Sequence, residues 1–111
     1  MRIEFVAAGS PRDLSRAIEE FAHGQGHVSA IVVPWESSGS VLSMSVSSVK
    51  TDGWAIEHTN LGTVTLTDLG DERTAVAVAA HDPDHADRQK LATLFDRFAE
   101  QLKTRFDAST S

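Results

Sequence analysis

Residues 41–49 read VLSMSVSSV, with Leu42, Met44 and Val46 on one side of an extended chain and Ser43, Ser45 and Ser47 on the other. A period of two with apolar and hydroxyl faces is the pattern of a strand that buries one face and wets the other. Downstream, Asp52-Gly53 signals a hairpin, after which Trp54, Ile56 and His58 share a face. Asn60-Leu61-Gly62 interrupts the run before Val64 and Leu66 resume against Thr63, Thr65 and Thr67, so 54–67 reads as two strands or as one strand bent at a glycine bulge. Leu69-Gly70-Asp71-Glu72 turns the chain once more. Strand 73–80 then sets Val76, Val78 and Ala80 against Ala75, Ala77 and Ala79, and the alanine face suits close approach of a helix or a second subunit. Upstream, VSAIVVPWE (28–36) is another strand. Its Pro34 cannot donate to a ladder and belongs at an edge or a bulge, and Ser37-Ser38-Gly39 is a turn.

Helices flank this β region. Residues 2–8 form a short strand with Ile3, Phe5 and Ala7 on one face; Ser10-Pro11 then supplies a cap hydroxyl and a proline at the first helical position. Leu14, Ala17, Ile18, Phe21 and Ala22 follow at helical spacing until Gly24 and Gly26. The last helix is expected from about Pro83 to Phe106, with Leu91, Leu94, Phe95, Phe98, Ala99, Leu102 and Phe106 in one stripe. The fold class that emerges is α+β: an antiparallel sheet of about five to six curved strands on a long C-terminal helix, in the order β-α-β4(5)-α. One domain spans 1–107, and 108–111 is a disordered tail.

The motif HDPDH (81–85) suggests a metal site, but its residues suit a helix start better. Asp82 precedes Pro83 and reads as the cap, and Asp84 and Asp87 suit the positive end of the helix dipole. His81 lies before the cap and His85 after it, so the two do not neighbour on one helical face, and no third ligand presents itself. His23 and His27 straddle two glycines and are weaker still as ligands. The reading therefore names no metal and no cofactor.

Composition narrows the classes further. A 41% apolar, 23% charged chain of 111 residues is long enough for one core. The net charge of -6 offers no basic stripe for a phosphate backbone, so nucleic acid is not an expected partner. Glu4 sits where a signal peptide needs its apolar centre, and no run approaches the roughly 20 apolar residues that cross a bilayer. With zero cysteines, the expected setting is the cytoplasm, without membrane insertion. Phosphate-loop, dinucleotide and nucleophile-elbow motifs are absent. His58, on the face of Trp54 and Ile56, is the one candidate for acid-base work. A solitary histidine reaching water or a carbonyl is the plainer account of it. Trp35 and Trp54 read as core residues before ligand platforms.

The stretch GTVTLTDLGDERTAVAVAAH (62–81) followed by QKLATLFDRFAEQLKTRF (89–106), with IEFVAAGSPRDLSRAI (3–18) at the start, resembles the START-like helix-grip superfamily in a shortened form. That resemblance implies a curved sheet gripping the last helix, with an apolar cavity between them. It would line such a cavity with Trp54, Ile56, His58, Val64, Leu66, Leu91, Leu94, Phe95, Phe98 and Leu102; a filled core would use the same residues. Three functions follow as expectations. The first is a binding module for a small hydrophobic ligand, with no enzymatic role. The second is an interaction or homodimerisation domain with a filled core, using the alanine face or a strand edge. The third is a cyclase-like acid-base enzyme using His58.

Overall fold

The computed structural model describes residues 2–81 and 86–108. Strand β1 (Arg2–Ala8) leads into helix α1 (Pro11–Gly24). Strands β2 (Val28–Val32), β3 (Val41–Asp52), β4 (Ala55–Gly70) and β5 (Arg73–Ala80) form an antiparallel meander, and helix α2 (Arg88–Phe106) closes the chain. β1 returns beside β5, so the sheet order is β1-β5-β4-β3-β2 with every pair antiparallel. The architecture is α+β, with α2 packed on the sheet as the sequence pattern requires.

Each helix is set by local chemistry. Ser10 caps α1, its Oγ accepting from the Asp13 N–H at 3.2 Å, and Pro11 occupies the first turn. Gln25 follows the helix and Gly26 takes φ +83°, which reverses the chain into β2. α1 packs on β2, β3 and β4, and α2 on β1, β4 and β5, both against the same face of the sheet. The helices meet through Phe21, whose ring lies 5.8 Å from that of Phe98 and 6.0 Å from that of Phe106. Beneath them, Phe5, Ala7, Val28, Ala30, Met44, Val46, Val64, Leu66, Val76 and Val78 form the floor of one core.

Several expectations need correction. β2 ends at Val32, because Pro34 opens a short 3₁₀ turn (Pro34–Glu36) instead of extending the strand, although it does lie at a sheet edge as expected. α2 starts at Arg88, five residues later than the expected Pro83. Asp87 is its N-cap, with the Asp87 carbonyl accepting the first helical bond from Leu91 at 3.0 Å. The Asp82 cap falls among residues 82–85, outside the described residues. Ala108, expected in a disordered tail, donates its N–H to the Val6 carbonyl at 2.8 Å, and Asp107 bridges to Ala7; residues 109–111 lie outside the described residues.

β4 is one long strand, and its irregularity decides which way its side chains point. Val46 pairs with Gly62 and Ser47 with Asn60, so Leu61 is an extra residue on β4. One inserted residue exchanges the two faces of everything beyond it. Gly62, Val64 and Leu66 therefore face the helices, while Asn60, His58 and Ile56 face away from them. Beyond the bulge the β3–β4 hairpin runs past the described end of β5, and from the Lys50–Glu57 pair outward it is a two-stranded arm. Its tip is the two-residue turn Gly53-Trp54 between paired Asp52 and Ala55, with Gly53 at φ +60°.

The β4–β5 turn holds Asp71 at φ +54° and Glu72 at φ +59°. Left-handed backbone is unfavourable for a residue with a Cβ, by about 1 kcal/mol for Glu72. Glu72→Gly should accordingly stabilise the fold by about 1 kcal/mol and raise the melting temperature by about 4 °C. Circular-dichroism melting checks this; a lower melting temperature would mean the unfolded-state entropy of glycine outweighs the relieved strain.

Candidate functional site

Of the ten residues expected to line a cavity, Val64 and Leu102 are fully buried in the core, and the other eight divide into two sets. Leu66, Phe95 and Phe98 lie between sheet and α2, with 0%, 1% and 2% of their surface exposed. A water-sized sphere reaches almost nothing of them, so they fill this interior and do not line a space within it. Leu91 and Leu94 are half-buried at the margin of the same cluster. Trp54, Ile56 and His58 lie elsewhere, on or beside the arm, where Trp54 is 104% and Ile56 63% exposed. The correction follows from Leu61, since the bulge it makes turns Ile56 and His58 away from the helices, while Trp54 stands in the turn at the arm's tip. Trp35, read as core, stands 83% exposed on the 3₁₀ turn.

His58 pairs with Val49 at the base of the arm, and Ile56 and Asn60 are its same-face neighbours along β4. A general base works best within a desolvated site and held by a second group. His58 is exposed and its neighbours here are an aliphatic pair and an amide, which gives no structural support to the acid-base reading.

The face away from the helices carries the polar order of the molecule. Ser43 pairs with Thr65, Ser45 with Thr63 and Val41 with Thr67, and the next strand adds Ala75, Ala77 and Ala79. Around the bulge the side chains bond to one another. Asn60 Nδ2 donates to Ser45 Oγ at 2.7 Å, and Thr63 Oγ1 lies 2.8 Å from His81 Nε2. His81 also donates its backbone N–H to the Leu61 carbonyl at 2.9 Å. These pairs escaped sequence reasoning, although aligning the Ser43/45/47 and Thr63/65/67 alternations would have placed the hydroxyls side by side.

Two open grooves border these elements. One of about 520 Å³ runs over Val6, Thr65, Thr67, Ala75 and Ala77 on the uncovered face, next to an exposed Arg2–Glu4 ion pair at 2.9 Å. The other, about 420 Å³, lies between Glu19 and His23 of α1 and the Val28–Ile31 stretch of β2. Among the described residues no cluster of histidine and carboxylate side chains has metal-binding geometry, and no helix is long and apolar enough to cross a membrane. Comparison with protein-family models, with curated proteins and with solved structures finds no match to this chain.

Proposed function

We propose that this chain is a non-catalytic interaction domain that associates with a second copy of itself. One observation carries the reading: the interior between sheet and α2 is filled to 0–2% exposure, while Ile31 and Ile56 stand in solvent on the other face of the sheet and Trp35 and Trp54 stand in solvent on turns. A filled interior leaves a small ligand no room there, and exposed tryptophan and isoleucine mark surfaces that gain by being covered. The START-like resemblance belongs to the same proposal and rests on the sequence stretches that suggest it. A small apolar ligand between sheet and helix is the competing reading, and it requires this packed interior to open. The charge of -6 sets nucleic acid aside as a partner, and the absence of cysteine suits a reducing compartment such as the cytoplasm.

Sedimentation velocity with a solvatochromic dye present separates the two readings. The expected result is a mass that climbs with concentration from 12.0 kDa toward twice that value, with no dye signal from the folded monomer. A constant monomer mass with saturable dye binding would replace this reading with the ligand one.

A further inference from the structure

The cations of this chain are gathered on its last helix. α2 carries five basic and two acidic residues and the rest of the chain five basic and fourteen acidic, so a helix of net charge +3 is set in a body of net charge -9. Along α2, Lys90, Leu94, Arg97, Gln101 and Thr104 recur at steps of four, three, four and three, which keeps them on one stripe, and Arg105 borders it. The buried residues Phe95, Phe98, Ala99 and Leu102 form a separate stripe toward the core. Lys90, Arg97 and Arg105 are exposed, and Leu94 is half-buried between the first two. No carboxylate stands on the stripe itself; Glu100 stands at its rim.

Two open grooves run along this stripe and meet at Arg97. One, of about 360 Å³, is lined by Lys90 and Leu94; the other, of about 370 Å³, lies between α2 and α1 and is lined by Phe21, Gln101 and Arg105. Phe21 is half-buried and gives the second groove an apolar patch. The Arg105 guanidinium lies 5.7 Å from the centre of the Phe21 ring and 5.9 Å from that of Phe106, so cation and aromatic surface stand side by side. Among the described residues no carboxylate reaches ion-pair distance of Lys90, Arg97 or Arg105, the described pair being Arg2–Glu4 on β1. A lone exposed cation is merely hydrated. Three on one stripe, interleaved with apolar surface in an otherwise acidic body, are complementary to one kind of partner.

We infer that the α2 stripe, with Phe21 of α1 beside it, docks an acidic amphipathic helix of a partner protein. Steps of four and three are the seam along which a second helix packs, and from Lys90 to Arg105 the stripe is roughly 22 Å long, the length of a helix of about 15 residues. Carboxylates of the partner face Lys90, Arg97 and Arg105, and its apolar side chains cover Leu94 and Phe21. The charge distribution also steers the encounter, because an acidic helix is attracted to α2 and repelled by the rest of the chain. Three cations along about 22 Å are too sparse for a nucleic-acid duplex, which carries one charge per about 1.7 Å. The stripe lies on the helix side of the sheet, away from Ile31 and Ile56, so it goes beyond the homotypic reading and does not rest on it.

The test uses the full chain and a fluorescein-labelled peptide of about 18 residues, built of alanine with glutamate and leucine at heptad spacing, which spans the stripe as a helix. Fluorescence anisotropy in about 50 mM salt should give a Kd on the order of 10–100 μM, weakened at least about tenfold in about 500 mM salt. Arg97→Glu combined with Arg105→Glu should weaken binding at least about tenfold, with the melting temperature within about 4 °C of the native value because both side chains are exposed. Arg12→Glu combined with Lys50→Glu makes the same change in net charge at exposed residues outside the stripe and should leave the Kd within about threefold. The same peptide with lysine in place of glutamate should not bind. Equal binding of the lysine peptide, binding that survives the double arginine reversal, or no binding by the native chain up to about 1 mM overturns the assignment. A single-stranded oligonucleotide that binds more tightly than the peptide would put nucleic acid in its place, and a self-associated mass that falls to 12.0 kDa on reversing the two arginines would put a second copy there; either overturns the acidic helix as occupant.

Discussion

Replacing Gly62 by alanine should cost this protein about 3 kcal/mol or more, at the upper end of what overpacking does and a large part of a typical 5–15 kcal/mol total. The cause is steric. A Cβ at position 62 would collide with the Ala79 carbonyl oxygen and with the ring of Phe95, both inside any allowed contact. Neither neighbour can yield cheaply. Ala79 is held in the β4–β5 ladder opposite Thr63, and Phe95 is a core side chain of α2 with 1% of its surface exposed. Gly39 provides the control, since a Cβ there meets nothing within 4 Å and its backbone is not left-handed; Gly39→Ala should change stability by less than about 0.5 kcal/mol. Urea denaturation measures both. Pairing Gly62→Ala with Phe95→Leu should recover at least about 1 kcal/mol relative to additivity, because the smaller side chain vacates the place the new methyl needs. A loss under about 1 kcal/mol for Gly62→Ala would mean that α2 slides on the sheet, and the filled interior would then be softer than its packing suggests.

The same glycine explains where sequence reading succeeded and where it failed. Alternation identified β3, β5 and the strand from Gly62 onward, because in each of them one face must be apolar and the next polar. The capped start of α1 was equally legible, since Ser10 and Pro11 act through local chemistry that needs no partner. Asn60-Leu61-Gly62 was recognisable as an irregularity, but a period of two carries no memory across an inserted residue. Read straight through, Trp54, Ile56 and His58 share the face of Val64 and Leu66; with Leu61 bulged Ile56 and His58 occupy the other, and Trp54 falls in the turn at the tip. The cavity expectation inherited that error, because it gathered into one lining residues that the sheet separates. The start of α2 was misplaced for a different reason. Pro83 and three aspartates satisfy every local rule for a helix entry, and where the first turn forms depends on how α2 docks on the sheet, which no local rule contains.

Truncating Phe95 to alanine should cost about 3–5 kcal/mol, the usual range for removing a buried aromatic ring, and should also create the property that the native interior lacks. The ring lies over the bulge at Gly62, under α2, and among side chains that include Leu66, Phe98 and Leu102, so its removal leaves an apolar hole between sheet and helix. Holes of that kind stay dry and take up small apolar molecules. Phe95→Ala should therefore gain stability from added benzene, with the melting temperature rising as ligand concentration rises, whereas the native chain should show no shift. The contrast bears directly on function. If the native protein responded as strongly as the variant, its interior would open at little cost, and a ligand-binding role would regain its footing. If only the variant responds, the interior of the native chain is structural and its interactions belong to the surface. Trp54→Ala completes the argument, because a side chain fully in solvent supports no core: its loss should leave stability within about 0.5 kcal/mol. An association weakened by that same substitution would then report a contact made at the arm and not a fold that has begun to fail.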